Sequence, residues 1–239
     1  PPTNIGSYTA VCTVSDANYQ GSDTQTFTIA KATQTIGFTP PMSGTVGGNA
    51  TLSATASSGL SVTFSSQSAS ICTVSGSTVN YLAAGTCAVR ASQAGNANYN
   101  PAPDVDRNIT VGPAANTTTL TSSANPSTFH QSITLTATVA GHDPTGTVAF
   151  SADGNALTDC ANVALTGSGD SKTATCATTA LTGGAHTLSA DYSGDANNQT
   201  STGALQQLVQ NIYTGPSSTG QGDLTTTFSG GGNSCNLTQ

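Results

Sequence analysis

Three times in this chain a glycine-led run of alternating residues ends on the phrase Asp/Asn-Ala-Asn. The copies start at Gly6, Gly85 and Gly184 and reach Asp16-Ala17-Asn18-Tyr19, Asn96-Ala97-Asn98-Tyr99 and Asp195-Ala196-Asn197-Asn198. They lie roughly 80 and 100 residues apart, the length of one small β-sandwich. In each copy the glycine turns the chain into a strand, the Asx-Ala-Asn segment ends it, and a last strand follows. Such a repeat makes the chain a string of similar beads. Strings of this kind set distances and present surfaces more readily than they do chemistry.

Composition supports strands. Charged residues are 6% of the chain, against roughly 25% in an ordinary globular sequence. All 11 acidic residues are Asp, and only 4 residues are Lys or Arg. Thr, Val and Ile favour strands, while Lys and Glu, the usual fillers of exposed helix faces, are nearly missing. The net charge of −7 excludes a phosphate-binding track, so no nucleic-acid partner is expected. No run approaches the roughly 18 apolar residues a spanning helix needs, so no membrane span is expected. No leader segment is visible, which fits a mature or excerpted chain.

Six cysteines in such a chain point to an oxidising compartment. Cys72 and Cys87 fall in one bead, Cys160 and Cys176 in the next. Each pair encloses a loop of about 15 residues, whose closure stabilises by about 3 kcal/mol in the chain-entropy model. The closely spaced pairs that zinc requires do not occur. Disulfides are therefore expected, with free structural thiols as the alternative.

Residues 33–112 read as one full sandwich, with strand-like stretches at 35–38, 50–54, 62–65, 71–74, 78–82, 87–92 and 107–111. Residues 113–212 repeat the plan, and Ile133, Leu135, Ala137 and Val139 alternate with polar residues as a half-buried strand does. Residues 1–32 offer only the recurrent strand, its turn and a last strand at 24–30. Two strands alone bury no core. On the recurrent strand, Tyr8, Ala10 and Cys12, then Cys87, Val89 and Ala91, then His186, Leu188 and Ala190, should face inward. Residues 213–239 offer one strand near 223–228 and the unpaired Cys235. The chain reads as cut, or completed by a neighbour, at both ends. The fold class expected is all-β: tandem Ig-like sandwiches, an incomplete domain in front and a short strand-bearing tail behind.

Ile71-Cys-Thr-Val-Ser-Gly, Ala84-Gly-Thr-Cys87 and Gln93-Ala-Gly-Asn-Ala-Asn-Tyr99 resemble bacterial Ig-like repeats of large secreted surface proteins. Thr117 to Pro126, Pro144-Thr-Gly-Thr-Val148 and Tyr192-Ser-Gly-Asp-Ala-Asn197 resemble another subtype of these repeats. Gly6–Lys31 is similar to the end of a third, the MBG repeat. The tail from Thr214 to Cys235 resembles the segment that stands ahead of a membrane-sorting signal in such proteins; the signal itself is not in this sequence. The resemblance implies a secreted, extracellular chain of a bacterial cell surface, of adhesin or stalk type. It names no ligand.

No catalytic residue, metal ligand or cofactor is assigned. His130, His142 and His186 stand beside no acid–nucleophile signature; His186 reads as packing, the other two as solvated. Asp104-Val-Asp106 and Asp153-Gly-Asn155 are the nearest approach to calcium runs, against a simpler reading as turns. Tyr19 and Tyr99 are expected to cap the open ends of their sandwiches, with glycan stacking as the alternative. Lys31 and Lys172 are the only lysines open to an isopeptide bond, and Asn49 and Asn108 lie in chance glycosylation sequons. The function expected is a non-enzymatic rod of Ig-like repeats. Its alternatives are a filament subunit joined by strand donation and a glycan-binding adhesin. Partners would be other copies or the remainder of the same polypeptide, and a host or neighbouring cell surface. In the filament, Cys12 and Cys235 would bond across chains.

Overall fold

A computed structural model describes residues 4–211. Apart from one 3-10 turn at Thr158–Cys160, its regular structure is all strand. No helix among the described residues is long and apolar enough to cross a membrane. Gly6–Thr13 (β1) and Ser22–Ile29 (β2) form an antiparallel hairpin.

The first sandwich comprises Ile36–Phe38 (β3), Ser43–Thr45 (β4), Asn49–Thr51 (β5), Ala54–Ala56 (β6), Thr63–Ser66 (β7), Cys72–Ser75 (β8), Thr78–Tyr81 (β9), Gly85–Ser92 (β10) and Val105–Gly112 (β11). One sheet runs β4-β11-β10-β7, faced by β5-β9-β8 and the pair β3-β6. The second sandwich comprises Thr117–Ser122 (β12), Ser127–Thr128 (β13), Ile133–Ala140 (β14), Thr147–Ala152 (β15), Asn155–Ala156 (β16), Val163–Ala164 (β17), Ser171–Thr178 (β18), Gly184–Tyr192 (β19) and Ser201–Gln210 (β20). Here β12-β14-β18 faces β13-β20-β19-β15-β16, with β17 also on β15.

Side chains alternate across each strand, so every second residue enters a core. Cys87, Val89 and Ala91 on β10 are fully buried, and Leu188 and Ala190 on β19 likewise. Ile109 and Val79 complete the first core, Phe150, Leu135 and Tyr192 the second. Burying one such large apolar side chain stabilises by roughly 1.5–3 kcal/mol. Cys72–Cys87 ties β8 to β10 across the two faces of the first sandwich, with Cα atoms 5.7 Å apart. Cys160–Cys176 ties the 3-10 turn to β18 at the same 5.7 Å.

The single strand expected at 50–54 is in fact two. Asn49–Thr51 pairs with β9, and Ala54–Ala56 with β3 in a separate sheet. Between them Leu52 is buried and its N–H bonds Ser77 O at 2.7 Å, and the chain passes there from one sheet to the next. The short strands β4 and β13 run parallel to the last strand of their sandwich, Ser43 opposite Thr110 and Ser127 opposite Val209.

The chain enters and leaves each sandwich at opposite ends. Ala32 bridges Tyr99 beyond the far end of β10, whereas Gly85 at its start pairs with Val111. Ala114 bridges Asn198 beyond the end of β19, whereas Gly184 pairs with Val209.

The hairpin has the same register as these last two strands, Tyr8 opposite Phe27 and Cys12 opposite Asp23. Tyr8 and Phe27 stack with centroids 5.7 Å apart. Among the described residues nothing covers this face: Cys12 is a free, exposed thiol and Phe27 is 43% exposed. Tyr8, Ala10 and Cys12, expected to face a core whose other half this chain does not supply, share one face that is open among the described residues. The tail strand near 223–228 and Cys235 lie outside the described residues.

Candidate functional site

The structure converges on the recurrent turns. In all three the first Asx side chain accepts from the backbone two residues on: Asn18 N–H to Asp16 Oδ1 at 2.8 Å, Asn98 N–H to Asn96 Oδ1 at 2.8 Å, Asn197 N–H to Asp195 Oδ1 at 2.7 Å. Asx residues close turns this way because their short side chain replaces a backbone acceptor. Gly95 and Gly194 precede the later two copies with φ of +77° and +70°, a region that suits glycine. At Gly95 a Cβ would collide with Tyr99 O and the Asn100 backbone.

Each later turn seats the incoming linker. Ala32 N–H donates to Asn98 O and Asn100 N–H donates to Ala32 O, both at 2.9 Å. Ala114 N–H donates to Asn197 O at 2.8 Å and Gln199 N–H to Ala114 O at 2.9 Å. Lys31 Nζ adds a bond to Asn96 O at 2.8 Å. The phrase that repeats in the sequence is thus a clasp on the strand entering its own sandwich.

The third clasp reaches further. Asp195 Oδ2 accepts from Thr145 N–H at 2.7 Å, Thr145 Oγ1 at 2.9 Å and Tyr192 Oη at 3.1 Å. Burial alone would push the Asp195 carboxyl up, but bonds from Thr145, Asn198 and Asn197 outweigh it and hold the group well below the usual carboxylate range. Burial first, then the neighbouring carboxylate, push Tyr192 up to about 12. Asn198 is 2% exposed. Its amide donates to His142 O at 2.9 Å while its Oδ1 accepts His142 N–H at 2.7 Å. Any side chain at Gly141 would collide with that amide.

Tyr99 is half-buried, whereas Tyr19 is 73% exposed. The capping role expected of Tyr19 is corrected, because among the described residues no sandwich end lies beneath it. His186 is buried as expected, yet it is no mere packing residue. Its Nδ1 lies 2.7 Å from Asp153 Oδ2 and its Nε2 2.8 Å from Thr182 O. Both partners are acceptors, so the doubly protonated imidazolium satisfies both. The Asp153 bond, then the Thr182 bond, raise the His186 pKa; His186 and Thr187 N–H lower that of Asp153. His130 and His142 are exposed.

The acid runs weighed for calcium face cations of the chain instead. Arg90 bonds Asp106 through Nε at 2.7 Å and Nη2 at 2.8 Å, with Asp104 at 3.4 Å; Asp153 faces His186. The Asn155 side chain turns back to donate to Asp153 O at 3.4 Å. Lys172 pairs with Asp143 at 2.7 Å. Among the described residues no three His, Cys, Asp or Glu side chains gather as a metal site would require. Sequence reasoning missed the roles of Asn197, Asn198 and Thr145. Only the repeat itself signalled them, through the change from Tyr19 and Tyr99 to Asn198.

Residues 120–211 match the family model of the bacterial Ig-like domain (group 3), and residues 1–33 match that of the MBG domain. No curated protein matches the chain significantly. Among solved structures, domains 4–9 of surface layer protein SbsC align at 18% identity over 76% of this chain, with a TM-score of 0.26. The N-terminal eight Ig domains of Down Syndrome Cell Adhesion Molecule align at 15% identity over 87% of it, with a TM-score of 0.25. In each case the chain covers 30% of the solved structure's length.

Proposed function

Because this chain is a run of tandem bacterial Ig-like repeats, we propose that it is a non-enzymatic structural or adhesive element outside the cell. In this reading beads 33–112 and 113–212 form a rod at a bacterial surface or in its matrix, and residues 1–32 close a further bead. The observation that carries it is the entry and exit of the chain at opposite ends of each sandwich, which adds the length of every bead to the span. The core disulfides and the polar, nearly uncharged surface suit an oxidising, protease-exposed setting. Small-angle scattering tests the reading. A compact chain of this size has a radius of gyration of about 18 Å, and the rod requires a value well above that. A value at the compact limit removes it.

A second reading is favoured by the open hairpin. Both edges of the β1–β2 pair are free among the described residues, and its Tyr8–Phe27 face is uncovered. By register with β10–β11, β1 would take an antiparallel neighbour like β7 and β2 a parallel one like β4. Strands from a second copy would fit and give a filament, with Cys12 available for a bond between chains. Non-reducing electrophoresis discriminates: a ladder that collapses with thiol supports the covalent filament, and a monomer in both conditions removes it.

A further inference from the structure

The third turn touches more than its own sandwich. Asn197 Oδ1 accepts the N–H of Ala84 at 3.0 Å. Ala84 belongs to the first sandwich, directly before Gly85, where β10 begins. We infer that the Asp195–Asn198 turn is a latch between beads, fixing residues 113–212 against residues 33–112, with the Asn197 side chain as the group that closes it. The latch rests on the tandem-repeat reading above and adds a fixed joint to it.

Three further observations point the same way. Asn198 grips both backbone groups of His142, and that loop brings His142 Nδ1 within 3.6 Å of where a Cβ on Gly47 would stand, in the β4–β5 turn of the first sandwich. Ala114, seated on the turn, packs against the apolar core of the first sandwich. The linker also has little slack, because Gln199 Nε2 bonds Pro113 O at 3.3 Å and Asn116 Nδ2 bonds Gln199 O. One turn therefore holds its own sandwich, the linker and the bead before it.

The second turn lacks this reach. Asn98 occupies the position of Asn197, and Ile5 precedes Gly6 as Ala84 precedes Gly85. Among the described residues the Asn98 side chain makes no hydrogen bond to Ile5, and Tyr99 stands where Asn198 would grip a loop. A shared clasp thus serves both joints, and the latch belongs to one.

The test uses the full chain and residual dipolar couplings, which report whether two bodies share one alignment tensor. The unmodified chain should fit beads 33–112 and 113–212 to a common tensor. Asn197→Ala removes the acceptor but keeps the backbone seat for Ala114, so the tensors should separate while both melting transitions stay in place. Asn197→Asp keeps an acceptor oxygen and should retain the common tensor. Separate tensors in the unmodified chain or in Asn197→Asp, or a common one in Asn197→Ala, overturn the latch. None of these results touches the scattering test of the rod itself.

Discussion

At the second turn Asn96 offers one acceptor oxygen, and both bonds that reach it come from its own turn, from Asn98 N–H and Tyr99 N–H. At the third turn Asp195 spends one oxygen in the same way, on Asn197 N–H and Asn198 N–H. Its second oxygen gathers Thr145 and Tyr192. An amide could not do this, because its second position carries donors where Thr145 also presents donors. One atom therefore separates a turn that closes on itself from one that organises a sandwich end. The same exchange makes the second sandwich answer to pH in a way the first does not.

The comparison breaks first where the sandwiches should be alike. The two disulfides span 15 and 16 residues, so Cys72→Ala/Cys87→Ala and Cys160→Ala/Cys176→Ala should each cost about 3 kcal/mol. Each loss should fall on its own calorimetric transition. A cost confined to one sandwich would show that the pairs are not equivalent staples.

Next in size, Asp195→Asn should cost the second sandwich about 2 kcal/mol, the scale of lost hydrogen bonds to a charged group. The reciprocal Asn96→Asp should gain little, since no loop waits for its second oxygen. Because Asp195 is held below the usual range when folded, its contribution is present above an ordinary carboxylate pKa of about 4. It is lost as pH falls through the depressed value. Acid melts should lower the second transition before the first, and Asp195→Asn should flatten that limb.

A smaller change is expected on the alkaline side. His186 has a raised pKa, so its contribution is complete below an ordinary value of about 6.5 and fades as pH rises through the folded value. His186→Gln should remove this limb from the second transition and leave the first unmoved. Smallest of all is Arg90→Ala. Its Asp106 partner is solvent-exposed, so any shift in the first transition should vanish in high salt.

Much of this was readable from residue order. The alternation of Cys87, Val89 and Ala91 marks the buried face of β10 because the strand period is two. The glycine-led repeat located the last two strands of every bead. The short parallel strands were not readable: Ser43–Thr45 and Ser127–Thr128 are too brief to carry a period. Nor was the break at Leu52, where the hydrophobic pattern continues while the chain changes sheets. The clasp was visible only as a motif. What Asn197 and Asn198 hold lies 113 and 56 residues away, and no local pattern encodes a partner at that separation.

The central claim is that the chain crosses each sandwich from one end to the other and so adds their lengths. Spin labels at Ala97→Cys and Ala185→Cys, in a chain carrying Cys12→Ser and Cys235→Ser, mark the entry end of the first sandwich and the exit end of the second. Two strands of 8 and 9 residues laid end to end, with the joint between them, place the labels on the order of 60 Å apart. Pulsed dipolar spectroscopy should return a distribution centred near that value. A distribution centred below about 30 Å, the reach of one strand length, would mean that the sandwiches fold back on each other, and would contradict the account.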